Sequence, residues 1–385
     1  MPDPMTRQPL LELTRHLIER PSVSPNDEGC QEILFDQLSR EGFERQQLDF
    51  EDVRNLWAIK RGAHPGPTLI FAGHTDVVPP GPLAEWTHHP FKLTVVDDII
   101  YGRGAADMKG ALAAMTIAAK TFLTDYPEFN GSLGFLITSD EEAIATHGTK
   151  LAIKALVDSG IKVDYAIVGE PSSSEVLGDT IRVGRRGSLN GRLRVKGQQG
   201  HVAYPESVVN PIHLAAKALS DLCDRPLDEG HGAFPPSTLQ VTNIHAGTGA
   251  TNVVPGDCEI DFNFRYNTAW NADRLMTWTQ DALSTTLDEF ELSWALSGEP
   301  FLTGEGPLLD VVDAAILKVC GQVPVHSTGG GTSDGRFLAP YGIDVVELGV
   351  TNSSIHKIDE HVRVTELMGL IDLYYEIMRS LLVRP

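Results

Sequence analysis

Several short segments of this 385-residue sequence place histidine or carboxylate side chains directly after an apolar run. The first is Gly73-His74-Thr75-Asp76, which follows the run from Pro67 to Ala72. If the strand continues, His74 and Asp76 point to the same side. A carboxylate at that spacing can hold one imidazole nitrogen while the other nitrogen binds a metal. A capped helix start with a surface histidine is the alternative, so the pattern indicates a metal ligand without excluding a structural role.

The second segment is acidic: Ser139-Asp140-Glu141-Glu142 follows the apolar run from Gly131 to Thr138. Adjacent carboxylates repel one another unless a cation lies nearby. In a Glu-Glu pair, one carboxylate can bind a metal while its neighbour accepts a proton from the attacking water. An acidic first turn of a helix, favoured by the helix dipole, explains the same residues. Both interpretations stay open on this segment alone.

Three more candidates complete a set of nitrogen and oxygen ligands. Asp107 lies in GRGAADMKG, where glycines allow the backbone to bend close to a site, although this segment alone favours a helix N-cap. Glu170 follows the apolar run VDYAIV, and His356 lies near the C-terminus in IHK. Together the ligands suit a borderline cation such as Zn²⁺. The carboxylates outnumber the needs of one zinc, which favours two metals bridged by one of them.

Candidate substrate contacts are less specific. Arginines are concentrated within one short stretch of an acidic chain, and they could hold a substrate carboxylate, although most are expected on a solvated strand face. These arginines are Arg182, Arg185, Arg186, Arg192 and Arg194. His201 in GHVAYP and Asn252 in TNVVPG could reach a substrate, but turn chemistry explains them at least as well. The glycine-rich segment 329–336 could bind an anion, yet it lacks the dinucleotide-binding pattern.

The pattern of apolar runs predicts how these residues are positioned. Strands that alternate with helices, each ending in a polar cluster, are typical of an α/β domain with its ligands beyond the carboxyl ends of the strands. The expected helices are 8–20, 27–41, 108–123 and one from about 148, and the expected strands are 55–60, 67–72, 131–138 and 163–168.

The middle of the chain has a different pattern. Period-two alternation over 182–196 and in two later strands, with one helix between them, predicts a smaller antiparallel α+β domain. That helix spans 209–223, and the later strands span 237–246 and 256–266. A helix at 307–320, a strand at 343–348 and a helix from 365 return to the α/β pattern. We therefore expect a first catalytic segment at 1–186, an inserted domain at 187–299 and a second catalytic segment at 300–385.

Composition narrows the class of partner. There are 31 Lys plus Arg against 52 Asp plus Glu, a formal net charge of −21, which disfavours nucleic acid and anionic membranes as partners. The four cysteines are far apart in sequence, and we expect them to be reduced thiols. The N-terminal segment does not resemble a signal peptide, and no apolar run reaches the length of a membrane span. These features predict a cytoplasmic protein.

Eight motifs, read in order along nearly the whole chain, resemble a known family. They are GHTDVVP, GRGAADMKG, TSDEE, GEP, RRGS, GHVAYP, TNVVPG and IHK. The sequence is similar to the dinuclear zinc aminoacylases and carboxypeptidases. The resemblance implies a zinc-dependent exopeptidase-like α/β catalytic domain with an inserted α+β lid and dimerisation domain. It also implies an amide hydrolase that acts on a small-molecule substrate as a homodimer, with two Zn²⁺ per subunit, which Co²⁺ can replace.

Two further motifs bear on the substrate: GGTSDGRF (330–337) and NSSIHK (352–357). They favour the members that release succinate from N-succinyl-L,L-2,6-diaminopimelate, in lysine and peptidoglycan precursor biosynthesis. The alternative is a member that acts on acetylornithine or on another N-acyl amino acid. A binding protein that kept the fold would be expected to lack ligands or the base, and none of the matching positions is lost here.

The family's functional residues can be carried over position by position. The resemblance implies that His74 and Glu170 bind one zinc, that Glu142 and His356 bind the other, and that Asp107 bridges them. Glu141 would be the general base, and Asp76 would orient His74.

The implied substrate contacts fall into two sets. One set holds the carboxylates and backbone of the substrate and comprises Arg185, Ser188, Arg265, Gly331, Thr332 and Asn352. The other set crosses a dimer interface into the partner's site and comprises His201, Tyr204 and Asn252, with His201 helping to stabilise the oxyanion. Two positions depart from the family pattern: Glu206 stands where histidine is more usual, and Ala143 where glycine is usual. Neither is an implied ligand.

Overall fold

The computed structural model describes residues 4–143 and 145–383. Its α-helices are α1 (Pro4–Ile18), α2 (Cys30–Ser39), α3 (Lys109–Asp125), α4 (Thr149–Asp158), α5 (Pro211–Cys223), α6 (Ala272–Ser284), α7 (Pro307–Cys320), α8 (Gly335–Leu338) and α9 (Val364–Leu382). Its strands are β1 (Glu44–Gln47), β2 (Asn55–Arg61), β3 (His64–His74), β4 (Thr94–Val96), β5 (Ile99–Tyr101), β6 (Asn130–Thr138), β7 (Tyr165–Val168), β8 (Thr180–Arg182), β9 (Gly184–Arg185), β10 (Gly187–Lys196), β11 (Gly200–His201), β12 (Thr238–Ala246), β13 (Val253–Val254), β14 (Asp257–Tyr266), β15 (Phe290–Gly298), β16 (Phe301–Leu302), β17 (Val325–Ser327), β18 (Asp344–Glu347) and β19 (His361–Arg363).

The chain divides into two compact units. The larger unit runs to residue 184 and resumes at 303–327 and from 333 onward, and the smaller unit comprises 185–302 and 328–332. These limits differ by two or three residues from those expected from the sequence. The segment 328–332, which we expected in the second catalytic segment, lies in the smaller unit. The lid and dimerisation roles of the inserted domain stay predictions.

The larger unit is built on an eight-stranded sheet with the order β1-β2-β6-β3-β7-β18-β8-β17. Its centre is parallel, since β3 pairs in parallel with both β6 and β7, and β7 pairs in parallel with β18. The central strands are apolar because they are buried on both faces. Helix α3, which is buried along most of its length, packs against α1 and α9 in the main core. The expected α/β class is confirmed.

The smaller unit is a four-stranded antiparallel sheet with the order β12-β14-β10-β15. Burial alternates along β10 and β14, and the buried side chains pack with those of α5 and α6. On the other face Arg192 pairs with Asp261, and Arg194 pairs with Asp257, all at solvent-accessible positions. These two arginines therefore lie on a solvated strand face, as we expected for most of the cluster.

Some elements differ from the expectation. The stretch 182–196, expected as one strand, is divided into β8, β9 and β10, and the sequence patterns gave no element for 267–299, where α6 and β15 lie. The four cysteines, Cys30, Cys223, Cys258 and Cys320, are free thiols. Over the described parts of the chain, every helix is too short or too polar to traverse a lipid bilayer.

Candidate metal centre

Strand register in the larger unit brings the first candidates to one edge of the sheet. His74, the last residue of β3, lies opposite Thr138, the last residue of β6, and Ala72 lies opposite Val168 at the end of β7. The segments that follow β6 and β7 carry Glu141, Glu142 and Glu170. Because parallel strands end on the same side, residues that are far apart in sequence become neighbours at this edge.

The first group of candidate ligands is buried. His74 Nε2 lies 3.2 Å from Asp107 Oδ1 and 3.6 Å from Glu170 Oε1. The loop before α3 supplies Asp107, and the segment after β7 supplies Glu170. The ligand atoms of these three side chains lie within 4.8 Å of one another, as a single cation requires.

The second group shares Asp107 with the first. His356 Nε2 lies 3.4 Å from Asp107 Oδ2 and 3.1 Å from Glu142 Oε2. The two carboxylate oxygens of Asp107 therefore face different histidines, His74 and His356, which is the arrangement of a bridging ligand. His356 has a φ of 60°, in the left-handed region that non-glycine residues seldom occupy. Strain of this kind is characteristic of functional positions.

The donor atoms of the first group also test whether a metal fits. His74 Nε2, Asp107 Oδ1 and Glu170 Oε1 are all buried, and none of them makes a hydrogen bond. Buried polar atoms without partners are rare and costly. Three such atoms that converge on one point, together with a set of nitrogen and carboxylate-oxygen donors, fit Zn²⁺ or a similar borderline cation.

The pKa shifts in the cluster without metal also indicate a cation-binding site. Burial opposes protonation of His74, but contacts with the carboxylates of Asp107 and Glu170 outweigh it and raise its pKa well above the ordinary value. Burial and the charge of Asp107 raise the pKa of Glu170 to about 7. The pKa of Glu141 is raised well above its ordinary value by burial and by the charge of Glu170. A bound cation would relieve this repulsion and favour the ionised carboxylates.

Asp76 contacts both His74 and the backbone of the glutamate pair. His74 Nδ1 is 2.9 Å from the main-chain oxygen of Asp76, whereas the Asp76 carboxylate is 3.7 Å from the same nitrogen. That carboxylate accepts hydrogen bonds from the backbone N–H groups of Glu141, at 3.2 Å, and Glu142, at 3.1 Å. Strand β3 ends at His74, so the expected strand continuation to Asp76 is not formed. Asp76 thus contacts His74 through its backbone and the glutamate pair through its side chain.

The loop that carries Asp107 needs glycine at one position. Gly104 has a φ of +83°, and a Cβ atom there would lie 2.8 Å from Val77 Cγ1 and 2.9 Å from Lys109 Cδ. Both the backbone conformation and the crowding exclude larger residues. This agrees with the expectation that the glycines of GRGAADMKG allow a close approach to the site.

Of the six residues implied to hold the carboxylates and backbone of the substrate, one lies in the larger unit and five lie in the smaller unit. Asn352 follows β18, and its backbone N–H donates to the oxygen of Ser173 at 3.1 Å. In the smaller unit, Ser188 is paired with Arg265 across β10 and β14. Arg185 Nη1 donates to the oxygen of Gly329 at 2.7 Å, and this contact brings Arg185 to the segment that carries Gly331 and Thr332.

The three residues expected to cross a dimer interface form a separate group in the smaller unit. His201 pairs with Val253 in the short β11–β13 ladder, and the N–H of Val202 donates to the oxygen of Asn252 at 3.1 Å. The rings of His201 and Tyr204 have centroids 5.8 Å apart. This group lies beyond the opposite end of β10 from Ser188, so the smaller unit does not bring the two sets of residues together.

Two carboxylates near the cluster were not assigned from the sequence. Asp140 accepts hydrogen bonds from the backbone N–H groups of Ala145, Thr146 and His147, and so fixes the segment after the glutamate pair. Glu360 binds the backbone of the loop that carries Asp107. The acidic run at 140–142 was a signal for Asp140, whereas the pair Asp359-Glu360, which follows no apolar run, gave little reason to select Glu360.

Comparison with known proteins agrees with this geometry. Residues 70–380 match the sequence model of Peptidase family M20/M25/M40. The chain belongs to peptidase family M20/M25/M40. The expectation of a metal-dependent amide hydrolase is therefore confirmed for this M20 chain, and the family resemblance read from the motifs is confirmed with it.

Individual relatives of this M20 chain cover it almost completely. The succinyl-diaminopimelate desuccinylase of Alkalilimnicola ehrlichii is 51% identical over 97% of this chain and 99% of its own length. That of Thioalkalivibrio sulfidiphilus is 52% identical, with 97% of this chain and 99% of its own covered. A dinuclear metal-binding peptidase of the M20 family from Bacillus subtilis has a similar fold, with a TM-score of 0.73 at 18% identity over 97% of this chain and 98% of its own.

Proposed function

We propose that this M20 chain hydrolyses N-succinyl-L,L-2,6-diaminopimelate to succinate and L,L-diaminopimelate with two Zn²⁺ ions per subunit. The observation that carries the hydrolytic part is Asp107, whose two oxygens face His74 at 3.2 Å and His356 at 3.4 Å. The substrate is proposed from two relatives named succinyl-diaminopimelate desuccinylase, which are 51% and 52% identical over 97% of the chain.

The donor set of the cluster indicates how two ions would be held. His74 and Glu170 would hold one, Glu142 and His356 the other, and Asp107 would contact both. The ions, when bound, would acidify the attacking water and polarise the amide carbonyl. Co²⁺ is proposed as a working substitute, since it accepts the same nitrogen and oxygen donors.

Glu141 is the residue proposed to move the proton. It belongs to neither group of candidate ligands, but it precedes the candidate ligand Glu142, and its backbone N–H donates to Asp76 Oδ2 at 3.2 Å. Its carboxylate would take a proton from the attacking water and return it to the leaving amine. Burial and the charge of Glu170 raise the pKa of Glu141 in the absence of metal, so the carboxylate is suited to holding a proton.

Binding of an anionic substrate needs local positive charge in a chain with a formal charge of −21. We propose that Arg185 and Arg265 bind the substrate carboxylates, since a guanidinium group offers paired donors. Ser188, Gly331, Thr332 and Asn352 would add hydrogen bonds. Their grouping supports the proposal: Ser188 is paired with Arg265 in the sheet, and Arg185 is bonded to the segment leading to Gly331.

A homodimer is proposed from the arrangement of the smaller unit. Ser188 and Arg265 lie at one end of the β10–β14 pair, whereas His201, Tyr204 and Asn252 lie beyond the other end. Ten residues of strand separate the ends by about 30 Å. One copy of this unit cannot apply both sets to one small substrate, so we propose that a second copy supplies His201, Tyr204 and Asn252. His201 from that copy would donate to the developing oxyanion.

Exposed apolar side chains support a partner for the smaller unit. They occur close to the His201 group, and they are Val202, Tyr204, Val209 and Ile212. Large apolar residues that cluster at a surface are typical of an interaction site.

The cytoplasmic location expected from the sequence stays a prediction.

The deciding experiment compares two substrates on one protein. Zinc-loaded and metal-stripped protein would be assayed with N-succinyl-L,L-diaminopimelate and with N-acetyl-L-ornithine. We expect zinc-dependent turnover with a large preference for the succinyl substrate. Preference for acetylornithine would keep the metal centre and refute the proposed substrate. Absence of turnover of either by folded, zinc-loaded protein would refute the reaction.

A further inference from the structure

Glu360 is a buried carboxylate with an unusual set of donors around it. Its side chain is almost wholly enclosed, with 1% of the residue exposed. Oε2 accepts from the backbone N–H of Gly104 at 3.0 Å and from Arg103 Nη1 at 2.7 Å. Oε1 accepts from the backbone N–H groups of Ala106 and Asp107, both at 3.0 Å. Four donors, three of them main-chain, therefore bind one carboxylate.

These bonds join two segments that are about 250 residues apart in sequence. Asp107 lies in the first segment, and His356 lies four residues before Glu360 in the second. The second segment is fixed by more than the carboxylate, because the main-chain oxygen of Glu360 accepts from Gly102 N–H at 3.0 Å. Arg103 also contributes, since its Nη1 lies 3.2 Å from the oxygen of Lys357. The loop of Asp107 and the loop of His356 are thus held as one piece.

The carboxylate of Glu360 is chemically specific for this task. It offers lone pairs on both oxygens, so each end can accept from a backbone N–H. A glutamine of the same shape has an acceptor at one end and an NH₂ group at the other. That NH₂ group would face a backbone N–H, and the buried donor would lose its partner at a substantial cost.

The position of the Asp107 carboxylate depends on this backbone. Its oxygens must face His74 and His356 at the same time, and the donor to Glu360 Oε1 is the N–H of Asp107 itself. A rotation of the 104–107 backbone would move both oxygens of Asp107, whereas His74 is held separately at the end of β3. Groups that orient a metal ligand from outside the ligand set influence affinity strongly.

We propose that Glu360 is a positioning residue of the metal centre: by accepting the N–H groups of Gly104, Ala106 and Asp107, it fixes the bridging carboxylate of Asp107 between His74 and His356. This inference rests on the metal-binding part of the proposed function and not on the identity of the substrate. Glu360 itself contacts none of the reacting groups, and its effect is exerted through Asp107.

The test is a Zn²⁺ titration of metal-free Glu360→Gln protein by calorimetry, with the visible absorption spectrum of the Co²⁺-loaded protein as a second readout. We expect zinc affinity to fall by about 10- to 100-fold and the Co²⁺ spectrum to change in intensity. Glu360→Asp keeps the charge but is one methylene shorter, so we expect a smaller loss in the same direction. It also replaces Glu360→Gln as the deciding variant if the glutamine protein does not fold.

The matched control is Asp228→Asn in the smaller unit. The carboxylate of Asp228 likewise accepts from several donors, namely the N–H groups of Gly230 at 2.8 Å and Ser237 at 3.2 Å and the side chain of Asn267. We expect this variant to lose stability and to keep wild-type zinc affinity and the wild-type Co²⁺ spectrum.

The possible outcomes distinguish the positioning role of Glu360 from the proposed substrate. Folded Glu360 variants with wild-type affinity and spectrum would overturn the positioning role, and so would a loss no larger than that of the control. Wild-type protein that binds two metal ions but does not hydrolyse the succinyl substrate would refute the proposed substrate alone. In that case the expected loss in Glu360→Gln would still support the inference.

Discussion

Asp76 Oδ2 accepts a hydrogen bond from the backbone N–H of Glu142 at 3.1 Å. The same oxygen lies 3.2 Å from the N–H of Glu141. The carboxylate next to the histidine motif therefore fixes the backbone of the glutamate pair, while its main-chain oxygen contacts His74. A proposed base and a proposed ligand are held relative to the end of β3 by this one residue.

Asp76→Asn should reduce turnover through this contact. Asparagine can keep an oxygen at the position that accepts both N–H groups, but that oxygen no longer carries a negative charge, so both hydrogen bonds to the glutamate backbone weaken. We expect kcat to fall by about 10- to 100-fold. Asp164→Asn is the control, because Asp164 accepts the N–H of Thr68 at 2.9 Å near the opposite end of β3. Equal kcat values for both variants would contradict the role of Asp76.

Glu141→Gln should separate catalysis from metal binding. Glu141 is in neither group of candidate ligands, whereas Glu142 lies 3.1 Å from His356. We expect Glu141→Gln to keep its full zinc content and to lose about 10²- to 10⁴-fold in kcat, since the group that moves the proton is gone. Glu142→Gln should instead lose zinc. Steady-state kinetics and metal analysis check both, and the exposed Glu175→Gln serves as a neutral control. Near-normal turnover in Glu141→Gln would refute the base assignment.

The metal-free protein should show a pH dependence that arises from His356. Hydrogen bonds to Asp107 and Glu142 raise the pKa of His356 to about 10. A raised pKa means that the folded state binds the proton more tightly than the unfolded state does. This stabilisation is complete below the ordinary histidine pKa near 6.5, and it is lost as the pH rises through about 10.

Zinc requires the neutral imidazole, so zinc binding should release this proton. We expect the metal-free protein to lose stability between pH 6.5 and 10, while zinc affinity rises over the same range. Urea unfolding at several pH values and calorimetry in buffers of different ionisation enthalpy measure the two effects. The His356→Gln variant should lack this part of the stability change. An identical pH profile in the variant would show that His356 is not the group responsible.

Subunit complementation should test the homodimer. His201→Ala and Glu141→Gln proteins are each expected to be nearly inactive. In a mixed dimer, the subunit with intact Glu141 receives an intact His201 from its partner, so one of two sites is complete. An equilibrated equimolar mixture should therefore regain about a quarter of wild-type activity. A mixture of Glu141→Gln with Glu142→Gln should regain no activity. Each subunit supplies both glutamates to its own site, so each site of a mixed dimer still carries one substitution. A monomer in light scattering, or no recovery, would refute the proposal.

How much the sequence predicted can be seen in particular elements. Helix α7 was expected at 307–320 and spans those residues, because its amphipathic run has clear limits in Pro307 and Gly321. The strands β3, β6 and β7 were recognised because strands buried on both faces are continuous apolar runs. Helix α6 and strand β15 were missed, although α6 buries one face at helical spacing and burial alternates along most of β15.

The contacts of the site were predictable only in part. The motifs selected His74, Asp107, Glu142, Glu170 and His356, and the structure groups all five. The motifs did not show that the carboxylate of Asp76 binds the glutamate backbone, because a hydrogen bond to main chain leaves no residue-type signature at its donor. The same reason explains why Glu360 was not selected, since its main-chain donors could belong to almost any residue type.

The chemical inventory of this protein can be read from its residues alone. Its motifs specified two histidines, the acidic candidate ligands and a glutamate proposed as base, and the alternation of apolar runs predicted an α/β chain with an inserted antiparallel segment. Which oxygen of Asp107 faces which histidine, and which carboxylate fixes which loop, became known from the three-dimensional fold. Ligand type depends on side-chain chemistry, which is local, whereas ligand position depends on strand register and on hydrogen bonds between segments distant in sequence, such as those of Glu360 to the 104–107 backbone.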